Sequence, residues 1–164
     1  MKKAPIPSNE AQRLAAVKRL QILDTAAEER FDRITRKATE LLQVPISTIT
    51  IIDSDREWFK SCQGVDQREG SREASFCGHA LLTQDIFIVE DTKADPRFAD
   101  NPQVTGSPSI RFYAGVMLKD RIEKLPICVF CIKDYRPRKL SLDEVNVIME
   151  LATQAEEELN QKVS

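Results

Sequence analysis

The chain has 164 residues, with 24 Lys and Arg against 26 Asp and Glu, a net charge of −2, and 41% hydrophobic residues. That length suits a single domain over residues 1–164, able to bury its own core without a disulfide or metal staple. Basic residues are scattered among acidic ones, which leaves no basic face for nucleic acid. No apolar run approaches the roughly 18 to 20 residues that would span a membrane. The start, Met1-Lys2-Lys3, has no apolar run behind its charges, so it is no secretory signal and the chain is expected in the cytoplasm.

Ser8 and Asn9 offer N-caps for a first helix in which Leu14, Val17, Leu20 and Leu23 recur at helical spacing. Thr25 and Glu28 have the spacing of a capping box. The helix they would open puts Phe31, Ile34, Ala38, Leu41 and Leu42 on one face, and Val44-Pro45 stops it. Ile46 to Asp53 is rich in β-branched residues and reads as a strand, turning at Asp53-Ser54-Asp55. Arg56 to Cys62 is its return, with Trp58, Lys60 and Cys62 facing one way and Phe59 and Ser61 the other. Asp66 to Arg72 is polar and reads as a loop. Ser75 caps a short helix through Phe76, His79, Ala80 and Leu82, and Ile86 to Glu90 is a short edge strand.

A connection of about 20 residues follows, Asp91 to Ser109, rich in Asp, Asn, Pro and Gly; loops this long usually do a job, such as covering a site. Ile110 to Leu118 and Leu125 to Lys133 then form an antiparallel pair, apolar enough to be covered on both faces. Ser141 and Glu144 make a second capping box, opening a helix with Val145, Ile148, Ala152, Ala155 and Leu159 on its buried seam. The order predicts an α+β fold: an antiparallel sheet with the terminal helices on one face, and the short helix plus long loop over the other.

Four cysteines are present, Cys62, Cys77, Cys128 and Cys131. Cys128 and Cys131 have C-x-x-C spacing, but residues three apart on a strand point to opposite faces and cannot share a metal. Both read as small buried apolar side chains.

The residues Asn9-Glu10 with Arg13-Leu14, Ile22-Leu23-Asp24-Thr25, Phe31-Asp32, Val44-Pro45-Ile46, Asp55-Arg56 with Trp58-Phe59-Lys60-Ser61, Ser75-Phe76-Cys77 with His79-Ala80, Asp95 to Pro102, and Ile110 to Gly115 together resemble the bacterial GAF domain family over nearly the whole chain. The resemblance implies a PAS-like antiparallel sheet of six or so strands. It also implies a pocket between the sheet and the 75–109 region, and a homodimer formed through the terminal helices. Family members sense a small molecule, a chromophore or redox state and pass the change to an output such as a kinase, cyclase, phosphodiesterase or transcription factor. No output segment is present in these residues, so the protein acts on a partner or the chain is part of something longer.

The ligand is not fixed by family. The Asn-Lys-Phe-Asp-Glu pattern of cyclic-nucleotide binders is missing, and Gly78 separates Cys77 from His79 where bilin binders commonly have adjacent Cys and His. Cys77-Gly78 resembles a pair in free methionine sulfoxide reductases, but Asp91 to Ser109 holds no cysteine, and the other thiols sit on predicted strands, poorly placed to resolve a sulfenic acid. The expectation is a non-enzymatic sensor for an unidentified small molecule, with no cofactor specified. Its candidate ligand contacts are Trp58, Phe76, Cys77, His79, Asp91, Phe98, Arg111 and Tyr113. The alternatives are a ligand-free interaction or dimerisation module whose pocket is filled by its own side chains, and a redox enzyme or sensor using Cys77. Two residues divide at once: Phe112 and Tyr113, adjacent on a strand, face opposite sides. Pro126 cannot donate to a ladder, which predicts a displaced or edge start to its strand.

Overall fold

The computed structural model describes residues 1–161. Six antiparallel strands form one sheet in the order β3-β2-β1-β6-β5-β4. They span Ile46–Ile52 (β1), Arg56–Gln63 (β2), Glu69–Ser71 (β3), Phe87–Val89 (β4), Phe112–Lys119 (β5) and Pro126–Asp134 (β6). Helices α1 (Glu10–Leu20), α2 (Glu29–Leu42) and α5 (Leu142–Asn160) cover one face; α3 (Phe76–Ala80) and α4 (Pro102–Thr105) belong to the cover of the other. Side-chain alternation along the central strands supplies both cores: Phe112, Cys128, Phe130 and Ile132 pack under the long helices, while Tyr113, Val129 and Cys131 pack under α3. The expected two-sided α+β sheet is what forms, and Cys128 and Cys131 do face opposite ways.

The long helices are fixed by their apolar seams and caps. In α5, Ser141 Oγ accepts from Glu144 N at 3.1 Å and the Glu144 carboxylate accepts from Ser141 N at 3.0 Å, so the second capping box forms as expected. Its buried residues are Ile148, Leu151, Ala152, Ala155 and Leu159; Leu151 is buried where the sequence pointed to Val145, which is half-buried. At the other end Asn160 closes on the β5–β6 turn, its Nδ2 donating to Lys119 O at 2.9 Å and its Oδ1 accepting from Arg121 N at 2.8 Å.

The first capping box does not form. Thr25 donates to Ile22 O, closing the turn after α1, and accepts from Lys60 Nζ at 2.7 Å. Glu28 is drawn away by Arg30 at 3.0 Å and Lys60 at 2.8 Å, and α2 begins only at Glu29. Leu41 is exposed, and Thr35 takes an inward position because its hydroxyl meets Ser61 Oγ at 2.8 Å.

That contact follows from a bulge in β2. Ile49 pairs with Ser61 and Thr50 with Phe59, leaving Lys60 without a partner. The extra residue shifts the alternation by one. Lys60 and Ser61 therefore both reach the α2 side, Lys60 to Ala26 O at 2.6 Å and Ser61 to Asp32 Oδ1 at 2.6 Å, which corrects the expectation that they point apart. Cys62 turns the other way, toward Val65 O at 3.6 Å, and not with Trp58.

Residues 66–72, read as a loop, contain the edge strand β3, whose Glu69, Gly70 and Ser71 pair with Trp58, Glu57 and Arg56. All three are exposed, so no apolar alternation marks them. The long connection is also built: Asp91 caps a 3₁₀ turn over Thr92–Ala94, and Asn101 caps α4 by accepting from Gln103 N at 2.9 Å. Pro126 opens β6 opposite Lys119, next to an irregularity between Leu118 and Lys119, as a residue without an amide hydrogen requires. No helix among the described residues is long and apolar enough to cross a membrane.

Candidate functional site

The sheet face beneath α3 is unusual in its polarity. Thr48 and Thr50 on β1, Glu57 on β2 and Lys133 on β6 are buried there with Cys131 and Tyr113. Thr48 Oγ1 lies 2.6 Å from Thr50 Oγ1 and 3.0 Å from Cys131 Sγ. From the cover, α3 lowers Cys77 onto this row, and the Tyr113 hydroxyl donates to Cys77 Sγ at 3.1 Å. Ser75 sets the start of α3 by accepting from Gly78 N at 2.9 Å. Gly115 makes room for the tyrosine, since a Cβ there would fall 2.3 Å from the Tyr113 hydroxyl.

The charges in this face are costly. Burial pushes the Glu57 carboxyl up, against the pull of the Lys133 charge, and its Oε1 has no hydrogen-bond partner. Burial pulls Lys133 down, but the field of Glu57, with Cys131 and Cys77, raises it overall. Burial also pushes the Cys77 thiol and Tyr113 phenol well up. Cys131 moves the other way: burial would raise it, but the hydrogen bond with Cys77, the Lys133 charge and Thr48 outweigh that and lower it.

Over this row lies an aromatic layer. Phe76 stacks on Phe98 with centroids 4.5 Å apart and on Tyr113 at 5.2 Å, and Phe87 meets Phe98 and Tyr113 edge-on at 6.1 and 5.9 Å. These rings fill the space between sheet and cover. His79 meets the edge of Phe98 at 4.8 Å and its Nε2 lies 3.3 Å from Lys2 O; burial lowers its pKa. Asp91 and Arg111 pair at 3.1 Å at the margin, beside a shallow depression of about 390 Å³ that Asp91 lines with Ile88, Ala94 and Pro96.

Of the eight residues named from the sequence, Phe76, Cys77, His79, Phe98 and Tyr113 gather under the cover, and Asp91 and Arg111 stand at its rim. Trp58 does not join them: it packs in the helix-side core, because β2 turns Glu57 and Phe59, not Trp58, toward α3. The sequence reading missed Thr48, Thr50, Glu57, Cys131 and Lys133. Their signal was there as polar residues interrupting strands otherwise buried on both faces. A separate cleft of about 850 Å³ lies on the helix side, lined by Leu20, Ile22, Arg30, Asp120, Ile122 and Leu159, and contains none of the eight.

Residues 26–159 match the GAF domain family. A cyclic di-GMP phosphodiesterase of Pseudomonas aeruginosa is 43% identical over 134 residues, which is 82% of this chain but only 23% of that protein. Among solved structures, the blue-light absorbing form of the PixJ GAF domain from Thermosynechococcus elongatus has a TM-score of 0.65 at 18% identity, covering 89% of this chain and 88% of that one. The free methionine-R-sulfoxide reductase of Neisseria meningitidis, in complex with its substrate, has a TM-score of 0.63 at 14% identity, covering 97% and 95%. These two share the fold. With the six-stranded sheet, the helices on one face and α3 with its long connection on the other, the match over residues 26–159 makes this chain a member of the GAF domain family.

Proposed function

We propose that this GAF domain is a non-enzymatic sensory module that takes a small polar molecule between the sheet and the α3–α4 cover. It works as a homodimer or on an output protein or domain such as a kinase, cyclase or phosphodiesterase. The observation that carries this is Glu57, a buried carboxyl group with one oxygen unpartnered, on the same buried face as Lys133. An unsatisfied buried polar atom costs about 1–3 kcal/mol, and a ligand that donates to it would offset that cost. Entry of such a molecule displaces Phe76 and Phe98, moving α3 between two arrangements that the long helices report. The 43% identity to a stretch of a cyclic di-GMP phosphodiesterase supports an output of that kind.

The test is to compare native and denatured masses of freshly purified protein, for the wild type and Glu57→Gln. Extra mass that leaves the wild type on denaturation, and is depleted in the variant, is the expected result. A clean apo mass in both would count against a retained ligand.

A second reading, an interaction or dimerisation module without ligand, is favoured by one observation: the Phe76–Phe98–Tyr113 stack already fills the space. Sedimentation of Phe98→Ala separates the two. Under the second reading association is lost, because the filled core shapes the dimerising surface; under the first, association persists.

A further inference from the structure

Residues 2–4 lie against α3 and the segment that leads into it. The Ala4 amide donates to Glu73 O at 3.0 Å, Lys2 O accepts from His79 Nε2 at 3.3 Å, and Lys3 Nζ pairs with the Glu73 carboxylate at 3.4 Å. Ala4 is buried although Lys3 and Pro5 on either side of it are exposed, because its methyl seats on Gly78: a Cβ added at Gly78 would fall 2.7 Å from the Ala4 Cβ. A glycine inside a helix costs about 1 kcal/mol against alanine, so Gly78 gives up helix propensity where the contact needs space. We propose that residues 2–4 are a strap that holds α3 down on the sheet, and that release of this strap is the step that opens the cover.

The strap bears on the aromatic layer through one ring. His79 meets the edge of Phe98 at 4.8 Å, and Phe98 stacks on Phe76 at 4.5 Å. Those two rings are the ones displaced in the small-molecule reading, on which the link from strap to ligand entry rests. The strap is also tied from behind. Pro5 and Pro7 restrict the link to α1, where Glu10 pairs with Arg72, the residue before Glu73. The same lead-in is therefore held twice, at Arg72 through Glu10 and at Glu73 through Ala4. A link with its backbone restricted loses less conformational freedom on closing, so a few contacts suffice to keep the strap in place.

Contacts this few open at a free energy well below that of global unfolding. The other holds on the lead-in, Asn101 Nδ2 and Gln103 Nε2 donating to Ala74 O at 3.1 and 2.9 Å, stay in place and act as the hinge. Release then lifts α3 from the strap side and uncovers Cys77, whose thiol accepts from Tyr113 beneath it.

The experiment alkylates the folded full chain with iodoacetamide and reads the rate at each cysteine by peptide map. Cys77 reports opening of the cover, and Cys128, buried in the helix-side core, reports global unfolding. Ala4→Glu cannot seat on Gly78 and should raise the Cys77 rate about tenfold or more with Cys128 unchanged. Gly78→Ala should also raise the Cys77 rate, and Ala4→Gly added to it should bring that rate back down, because the methyl it collides with is gone. The proposal is overturned if Ala4→Glu leaves Cys77 unchanged, if Cys77 and Cys128 rise together, or if Ala4→Gly gives no rescue. The labelling uses no ligand, so its failure leaves the native-mass test of the small-molecule reading standing, and failure of that reading leaves the strap.

Discussion

Arg13 and Glu10, three residues apart on α1, meet through two hydrogen bonds of 2.9 Å with the guanidinium completely buried. Arg13 also donates to Ile52 O at 2.7 Å, and the buried Arg72 joins the same carboxylate while reaching Asp53 O at 3.0 Å. One carboxylate thus ties the first helix to the β1–β2 turn and to the segment that leads into α3.

Removing that carboxylate strands two buried guanidinium groups. Glu10→Gln is expected to destabilise the fold by about 3 kcal/mol, measured by urea unfolding at neutral pH. Burial pushes Glu10 up, but Arg13 and Arg72 hold it lower overall, at about 2 against an ordinary 4.5. A carboxyl with a depressed folded pKa stabilises fully above its unfolded value, and this is lost as pH falls through the folded one. The gap between wild type and variant should therefore be constant above about pH 4.5 and close between there and about pH 2.

Gly115→Ala puts a methyl 2.3 Å from the Tyr113 hydroxyl and 2.8 Å from its Cζ, in a stack with no room to turn. The expected cost is about 1–3 kcal/mol in chemical denaturation. Tyr113→Phe alone loses one hydrogen bond, about 1 kcal/mol. In the double variant the penalties should be less than additive, since the closest clash goes with the hydroxyl.

Glu57 and Lys133 are two ionisable groups buried on one sheet face, each acting on the other's titration. Replacing a buried charged pair with groups of similar volume is often neutral or stabilising by about 1–4 kcal/mol, and removing one partner is destabilising. The double variant Glu57→Gln with Lys133→Met should unfold at equal or higher denaturant than wild type, while Lys133→Met alone unfolds earlier. If the double variant also loses retained mass in native mass spectrometry, the charges are kept for binding.

Ser141→Ala removes the cap of α5 and should cost about 1 kcal/mol. Thr25→Ala probes the capping box that does not form. Its loss should act through Lys60 and Ile22 O, so hydrogen exchange should rise in the turn after α1 and not in the first turn of α2.

Most of the fold is legible in local pattern. The β-branched run at Ile46 to Ile52, the Ser141–Glu144 box and the Val44-Pro45 stop each specify an element through its own neighbours. Several of the misses share a cause: their partners are distant in sequence. Arg13 is buried because Ile52 O meets it from β1 and Arg72 shares its Glu10 partner from beyond β3, which no helical periodicity reveals. The bulge at Lys60 depends on pairing with β1, and one extra residue reverses which side chains share a face. In the site, the aromatic cover was readable from Phe76, Phe98 and Tyr113. The polar row leaves only single polar residues within buried strands, and its assembly is not readable, because Thr48, Glu57, Cys131 and Lys133 come from three strands and meet only in the sheet. Cys131 in particular is read as inert from its own strand and meets Thr48 Oγ1 at 3.0 Å only when β1 pairs with β6.

The clamp of Asn160 on the β5–β6 turn gives the domain a mechanical property. Strand β5 carries Tyr113 under the cover and Lys119 at its far end, roughly 20 Å away at strand rise. Lys119 is gripped by the last turn of α5. The strand is therefore a stiff rod with the site at one tip and the exit of the terminal helix at the other. A tilt imposed at Tyr113 would arrive where α5 ends without passing through any loop.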